Sequence, residues 1–390
     1  MIVSPIKLID PNQTENRVLI VFGTRPEAIK MAPVIAALRR QPGLATFVCV
    51  TGQHRQMLDQ VLDIFDIKPD YDLNLMRTAQ SLESVTTEIL QQLGVVMAEV
   101  QPQWVLVHGD TSTAFATALA CFYRGVRVGH VEAGLRTGDL RSPWPEEMNR
   151  RFVDMVSDLL WAPTARAQQN LLQEGKLATQ IVVTGNTVID ALFRARDVLT
   201  RDLNVRERMQ EKFSFLTASK RLILVTGHRR ENFSGGLSEL CAALVILSAR
   251  PDIEIVWPVH LNPVVQGVVR NALSDCANVH LLAPQEYLSF VELMCRSYLI
   301  ITDSGGIQEE APALDKPVMI ARDATERPEV LETGAARLVG TTQASIVAGT
   351  ALILDNYEEY CRMAAAPNPF GDGCAGERIA SSLVAALHHD

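Results

Sequence analysis

Lysine is scarce in this chain: of 36 basic residues only 7 are lysine and 29 are arginine, set against 45 acidic residues. The net charge of −9 excludes a surface built to hold nucleic acid or an anionic membrane. It leaves room for a local phosphate pocket, for which arginine's planar fork is better suited than a lysine point charge. Cysteine pairing is also missing. Cys49, Cys121, Cys241, Cys276, Cys295, Cys361 and Cys374 are an odd set with no Cys-x-x-Cys, so they exclude a disulfide scaffold and a zinc site and read as reduced core residues. No apolar run approaches the ~18 residues of a membrane span. The N-terminus carries Asp10 and Glu15 where a secretory leader would be apolar. The sequence therefore predicts a soluble, cytoplasmic protein with neither nucleic acid nor membrane as partner.

There is no Walker A sequence. One Gly-x-Gly-x-x-Gly occurs, at Gly371, Gly373 and Gly376, but it follows a helical stretch and Pro367-Asn368-Pro369 instead of a strand. The acidic residue that would hold a ribose also has no place after it. No nicotinamide, flavin or other cofactor is expected. Asp70-Tyr71-Asp72 matches a metal-binding pair only in spacing and reads as a loop, so no metal is expected either.

What is present is an alternation of short apolar runs with helical stretches, repeated twice over 390 residues. In the first half the predicted strands are Val18–Phe22, Phe47–Thr51, Trp104–His108, Arg127–Val131, Leu159–Ala162 and Ile181–Thr184. In the second they are Leu222–Thr226, Glu254–Val259, Val279–Leu282, Tyr298–Thr302, Pro317–Ala321 and Arg337–Val339. The pattern predicts an α/β protein of two doubly wound domains facing a cleft, with ligands at the carboxyl ends of the strands. The domains are placed at 1–190 and 191–370, with a C-terminal helix in 371–390 returning to the first.

Each half opens on a strand, a glycine and an Arg-bearing turn. Gly23-Thr24-Arg25-Pro26-Glu27 is expected to present free helix N–H groups to an anion, with Arg25 and Lys30 beside it. His228, with Arg229 and Arg230, is placed to bind an anion or to protonate a leaving oxygen. The other histidines set aside as surface or packing residues are His54, His280, His388 and His389. Thr302-Asp303-Ser304-Gly305-Gly306-Ile307-Gln308-Glu309-Glu310 runs from a strand through a Gly-Gly turn into a helix, a layout that fits a nucleoside diphosphate. The densest chemistry is in the first half. Asp110 and Glu132 each follow a strand directly, and Glu146 and Glu147 follow the two prolines of Ser142-Pro143-Trp144-Pro145. Three carboxylates on one rim supply an acid and a base.

At these residues the sequence resembles the non-hydrolysing UDP-N-acetylglucosamine 2-epimerase family. The markers are Phe22-Gly23-Thr24-Arg25-Pro26-Glu27-Ala28-Ile29-Lys30, Gly52-Gln53-His54-Arg55, His108-Gly109-Asp110-Thr111, Glu132-Ala133-Gly134-Leu135-Arg136 and Pro145-Glu146-Glu147. Others are Gly185-Asn186-Thr187, the His228 segment, Pro258-Val259-His260-Leu261-Asn262-Pro263 and Asp303-Ser304-Gly305-Gly306. The resemblance implies two Rossmann-like domains in the glycosyltransferase-B architecture, usually as a homodimer. It implies elimination of UDP to a 2-acetamidoglucal and re-addition with inverted C2. It assigns UDP binding to Arg25, His228, Arg229, Phe290, Ser304, Gly305, Gly306 and Glu310. Asp110, Glu132 and Glu146 form the acid/base set, supported by Lys30 and His228. An allosteric UDP-sugar site in some members maps to Gln53, Gln56, Glu146, Arg229 and His260, although the basic residue expected near position 79 is Ala79, with Arg77 two residues away. Arg136 and Arg230 are further candidates beside phosphate. The competing readings are a UDP-sugar-dependent glycosyltransferase, a hydrolysing epimerase, an epimerase for a modified sugar, and an inactive sugar-nucleotide sensor.

Overall fold

The computed structural model of the protein describes residues 16–52, 55–75, 80–227 and 235–388. The chain divides into two compact units, Met1–Ala191 with Phe370–Asp390, and Leu192–Pro369. The first contains a parallel sheet of β1 (Asn16–Phe22), β2 (Leu44–Val50), β3 (Tyr71–Asp72), β4 (Trp104–His108), β5 (Arg127–Val131), β6 (Leu159–Ala162) and β7 (Ile181–Val183). The second contains β8 (Arg221–Thr226), β9 (Ile253–Pro258), β10 (Val279–Leu282), β11 (Leu299–Thr302), β12 (Val318–Ile320) and β13 (Ala336–Leu338). The spatial orders are β3-β2-β1-β4-β5-β6-β7 and β10-β9-β8-β11-β12-β13. Each reverses direction beside its first strand, which is the Rossmann-type doubly wound order, and the crevice at that reversal is where such sheets bind ligands.

The helices of the first unit are α1 (Arg25–Arg39), α2 (Arg55–Ile64), α3 (Leu82–Val100), α4 (Ser112–Arg124), α5 (Glu146–Val156) and α6 (Ala165–Gln173). Helix α7 (Thr187–Arg201) leads into the second unit. There follow α8 (Leu203–Lys212), α9 (Gly236–Ser248), α10 (Pro263–Leu273), α11 (Tyr287–Arg296), α12 (Gly305–Glu310), α13 (Pro328–Glu332), α14 (Gln343–Asp355) and α15 (Tyr357–Ala364). Helix α16 (Ala375–Leu387) belongs to the first unit again. None of the described helices is long and apolar enough to cross a membrane.

The central strands are continuous apolar runs because both sheet faces are covered: Val18 to Phe22 and Trp104 to Val107 are all buried. Strands β1 and β2 begin earlier than their apolar runs, since Asn16 pairs with Leu44 and the ladder continues through half-buried positions. Tyr71-Asp72, expected in a loop, is a short edge strand paired with Cys49-Val50. Its acidic neighbours serve the backbone: Asp70 accepts from the Val48 N–H at 2.8 Å and Asp72 from Asn74 N–H at 3.0 Å. Among the described residues no His/Cys/Asp/Glu cluster could hold a metal ion. Of the seven cysteines, all free, Cys49, Cys121 and Cys241 are buried, but Cys374 is exposed in the turn before α16, which corrects its assignment to the core.

The Gly371-Gly373-Gly376 motif has a packing explanation. Here the chain returns to the first unit and backbone meets backbone. A Cβ on Gly185 would stand 3.1 Å from the Gly371 Cα, and one on Gly376 would stand 2.9 Å from the Pro33 carbonyl oxygen of α1. Asp190 accepts from the N–H groups of Ala375 (3.2 Å) and Gly376 (2.8 Å), fixing the start of α16. Gly376→Ala is therefore expected to destabilise the protein by about 1–3 kcal/mol through overpacking. Gly267→Ala in α10, where nothing lies within 4 Å of the new methyl, is expected to be neutral or stabilising by up to about 1 kcal/mol in urea denaturation.

Candidate active site

Strands β4 and β5 are paired in register, with His108 opposite Val131 and the Gly109 N–H donating to the Val131 carbonyl at 3.0 Å. The turns that follow therefore bring Asp110 and Glu132 out side by side at the carboxyl edge of the sheet. Glu132 reaches the first of these turns: a Cβ built on Gly109 would lie 3.8 Å from Glu132 Oε1. Glu132 has φ +68°, a left-handed conformation that costs a non-glycine residue about 1 kcal/mol or more. The side chain is only 10% exposed and its Oε2 forms an ion pair with Lys30 of α1, accepts from Asn186 Nδ2 at 2.8 Å and stands 3.8 Å from His108 Nε2. Burial alone would raise this carboxyl, but Lys30 and then His108 overcome it and hold Glu132 well below the usual carboxylate range.

Asp110 forms an ion pair with Arg150 of α5, and its carbonyl accepts from Asn149 Nδ2 at 2.9 Å. Helix α5 thus reaches the same edge. Of its first two glutamates, Glu147 is fully buried and structural. It accepts from the N–H groups of Thr137 (3.1 Å) and Gly138 (3.4 Å) and from Arg150 and Arg151, which pins the loop before α5. Glu146 is different. It is half-buried, has no hydrogen bond or ion pair among the described residues, and its Oε2 is closed off from solvent.

The anion site expected at the start of α1 is closed from within. Glu27 Oε2 accepts from Gly23 N–H (2.9 Å) and Thr24 N–H (2.7 Å), the Glu27 N–H donates to Thr24 Oγ1, and Pro26 has no N–H to offer. Glu27 Oε1 also accepts from the Thr111 hydroxyl at 2.6 Å, tying this turn to the one that carries Asp110. Of the two cations placed there, Lys30 is engaged by Glu132, and Arg25 occupies the first position of α1. Arg136, the further candidate beside phosphate, pairs with Asp154 at 2.8 Å and with both oxygens of Glu174.

In the second unit Ser304 precedes α12 without its side chain capping the helix, while its N–H donates to Thr302 Oγ1 at 2.9 Å. The paired glutamates again divide. Glu309 is buried on Arg327, whereas Glu310 folds back so that a Cβ on Gly306 would lie 3.6 Å from its Oε1. Phe290 is half-buried on α11; His260 is exposed after β9 and its Nδ1 accepts from the Asn262 N–H at 3.2 Å. His280 packs on Phe215 with ring centroids 4.7 Å apart, and burial lowers its pKa. His228, Arg229, Arg230, Gln53, His54, Arg77, Ala79 and His389 lie outside the described residues, as does the side chain of Gln56.

A model of the UDP-N-acetylglucosamine 2-epimerase family matches residues 36–384. The chain belongs to that family. It is 52% identical over 368 residues to the UDP-N-acetylglucosamine 2-epimerase of Escherichia coli strain K12, covering 94% of this chain and 98% of the relative. The crystal structure of UDP-GlcNAc 2-epimerase from Neisseria meningitidis bound to UDP-GlcNAc superposes with a TM-score of 0.88 at 47% identity, over 95% of this chain and all of that one. A glycosyltransferase from Rickettsia africae, 14% identical with a TM-score of 0.63 over 96% of this chain and 99% of its own, shares the two-Rossmann architecture alone.

In this epimerase-family chain the structure adds His108, Asn186, Arg150, His130 and Asp154 to the residues around the carboxylates. Three of them stand in or beside the motifs quoted above, but His108 and Asn186 meet Glu132 from other turns and His130 meets Asp154 of α5. The low pKa of Glu132 has a measurable sign. A carboxyl depressed on folding contributes stability that is fully present above its unfolded value and is lost as pH falls through the folded one. The stability difference between the wild type and Glu132→Gln is thus expected to stay constant from neutrality down to the ordinary value of 4.5 and to narrow only below it, as followed by thermal unfolding against pH.

Proposed function

We propose that this protein interconverts UDP-N-acetylglucosamine and UDP-N-acetylmannosamine by eliminating UDP to a 2-acetamidoglucal and adding it back. The C2 proton of the sugar has no neighbouring carbonyl to stabilise a carbanion, so its removal must be coupled to departure of the C1 substituent. A base takes the proton, the C1–O bond breaks with its electron pair leaving on the UDP phosphate, and a C1=C2 double bond forms. The return addition delivers a proton to the opposite face of C2.

The observation that carries this reading is the carboxylate set of the first unit, in which the three members differ in their partners. Glu132 is engaged by Lys30 and Asn186, and Asp110 by Arg150, while Glu146 has no side-chain donor among the described residues. We assign the two faces of C2 to Glu146 and Asp110, each taking the proton in one direction and returning it in the other, with Glu146 the base that starts from UDP-N-acetylglucosamine. Glu132 and Lys30 supply the fixed field. UDP must be retained while it is detached, which we assign to Arg25, His228, Arg229, Phe290, Ser304, Gly305, Gly306 and Glu310, with His228 giving a proton to the leaving oxygen. The turn of Glu310 towards Gly306 supports a ribose contact there.

The test is incubation with UDP-N-acetylglucosamine alone in deuterated water, following C2 by NMR. Reversible appearance of the epimer with deuterium at C2 is expected. Absence of exchange without an added acceptor would favour a glycosyltransferase on the same fold. Asp110→Asn and Glu132→Gln are each expected to lower turnover at least about 10²-fold.

A further inference from the structure

Behind the carboxylate edge lies a buried cluster that the chemistry above leaves unused. His130 on β5 is fully buried and both ring nitrogens are engaged: Nδ1 is 2.6 Å from Asp154 Oδ1 of α5, and Nε2 is 2.8 Å from the Gly109 carbonyl oxygen. A carbonyl only accepts, so Nε2 carries a proton. Asp154 also accepts at Oδ2, from the Gly134 N–H at 3.1 Å and from Arg136 Nη2 at 2.8 Å, and Arg136 is clamped in turn by Glu174. Burial works against the Asp154 charge, yet His130 and Arg136 hold its carboxyl below the ordinary value.

We infer that His130 is the positioning residue that sets the turns of Asp110 and Glu132, an inference that rests on the epimerase reading. Its geometry reaches both turns. The Gly109 carbonyl is held by Nε2, which fixes the planar peptide leading to Asp110. On the other side Gly134 and Arg136, in the turn after Glu132, are anchored to the same Asp154. The titratable groups on the surrounding elements are His108 and Asp110 after β4, Glu132 after β5 with Lys30 of α1, and Arg150 and Arg151 on α5; among the described residues only Asp154 pairs with the ring.

The experiment uses the full chain with isotopically labelled histidine nitrogen; with eight histidines, the His130 signals are identified by their loss in His130→Gln. The Nε2 of His130 is expected to carry the proton it donates to the Gly109 carbonyl. A bare Nε2 overturns the assignment. In His130→Gln, kcat is expected to fall about tenfold or more while KM for UDP-N-acetylglucosamine moves less than about threefold. Unchanged kcat in His130→Gln, or a KM that rises as much as kcat falls, overturns the positioning role. If the wild type shows no C2 exchange at all, the epimerase reading has failed, and the Nε2 signal still decides whether His130 holds the Gly109 carbonyl.

Discussion

Glu146→Gln is expected to lower turnover by about 10³-fold or more, the upper part of the range for general acid/base groups, and to abolish deuterium uptake at C2. Among the three carboxylates it should be the most damaging. A paired cation weakens a base, and among the described residues Lys30 pairs with Glu132 and Arg150 with Asp110 whereas no cation pairs with Glu146. The amide is nearly isosteric, so binding should change little and KM should stay close to that of the wild type. If Glu132→Gln or Asp110→Asn removes exchange while Glu146→Gln retains it, the assignment of the base is wrong, although the carboxylate set as a whole would stand. The neighbouring Glu147 offers a control of another kind. Its four donors make it a loop anchor, so Glu147→Gln should be read out as lost stability before lost chemistry.

Asp154→Ala is expected to destabilise the first unit by about 3–5 kcal/mol, because breaking a buried pair strands its partners. Arg136 would keep Glu174, but the Gly134 N–H would lose its acceptor and His130 Nδ1 its partner. Of the four tryptophans, Trp104, Trp144 and Trp161 lie in the first unit, so fluorescence during urea denaturation reports mainly on it. The exposed pair Arg201–Asp197, 3.4 Å apart, supplies the comparison: Asp197→Ala should cost less than about 1 kcal/mol. A loss of that small size for Asp154→Ala would mean the cluster is solvated in a way its burial does not suggest.

The strands and their parallel arrangement were legible because a strand covered on both faces must be apolar throughout, as Trp104 to Val107 are. The two-residue strand Tyr71-Asp72 was not, since it is too short and too polar to differ from a loop. Asp110 and Glu132 could be placed at one edge because each directly follows a strand. The difference between Glu146 and Glu147, or between Glu309 and Glu310, could not be read, because adjacent residues in a helix point about 100° apart and only the surroundings decide which one is buried. The start of α1 misled for a related reason: Thr24 and Glu27 have the spacing of a capping box, and a helix capped by its own glutamate has few N–H groups left for a ligand. The pairing of His130 with Asp154 joins residues 24 positions apart on a strand and a helix, a relation that hydrophobic periodicity does not encode.

The return of the chain at Phe370 has a consequence for synthesis. Helix α16 and the Gly371–Gly185 crossing are made only after every residue of the second unit has left the ribosome. Until then the Pro33 face of α1 and the Asp190 carboxylate lack the segment that covers them. The unit translated first is therefore the one that closes last, and the second must reach its own fold tethered to an unfinished neighbour.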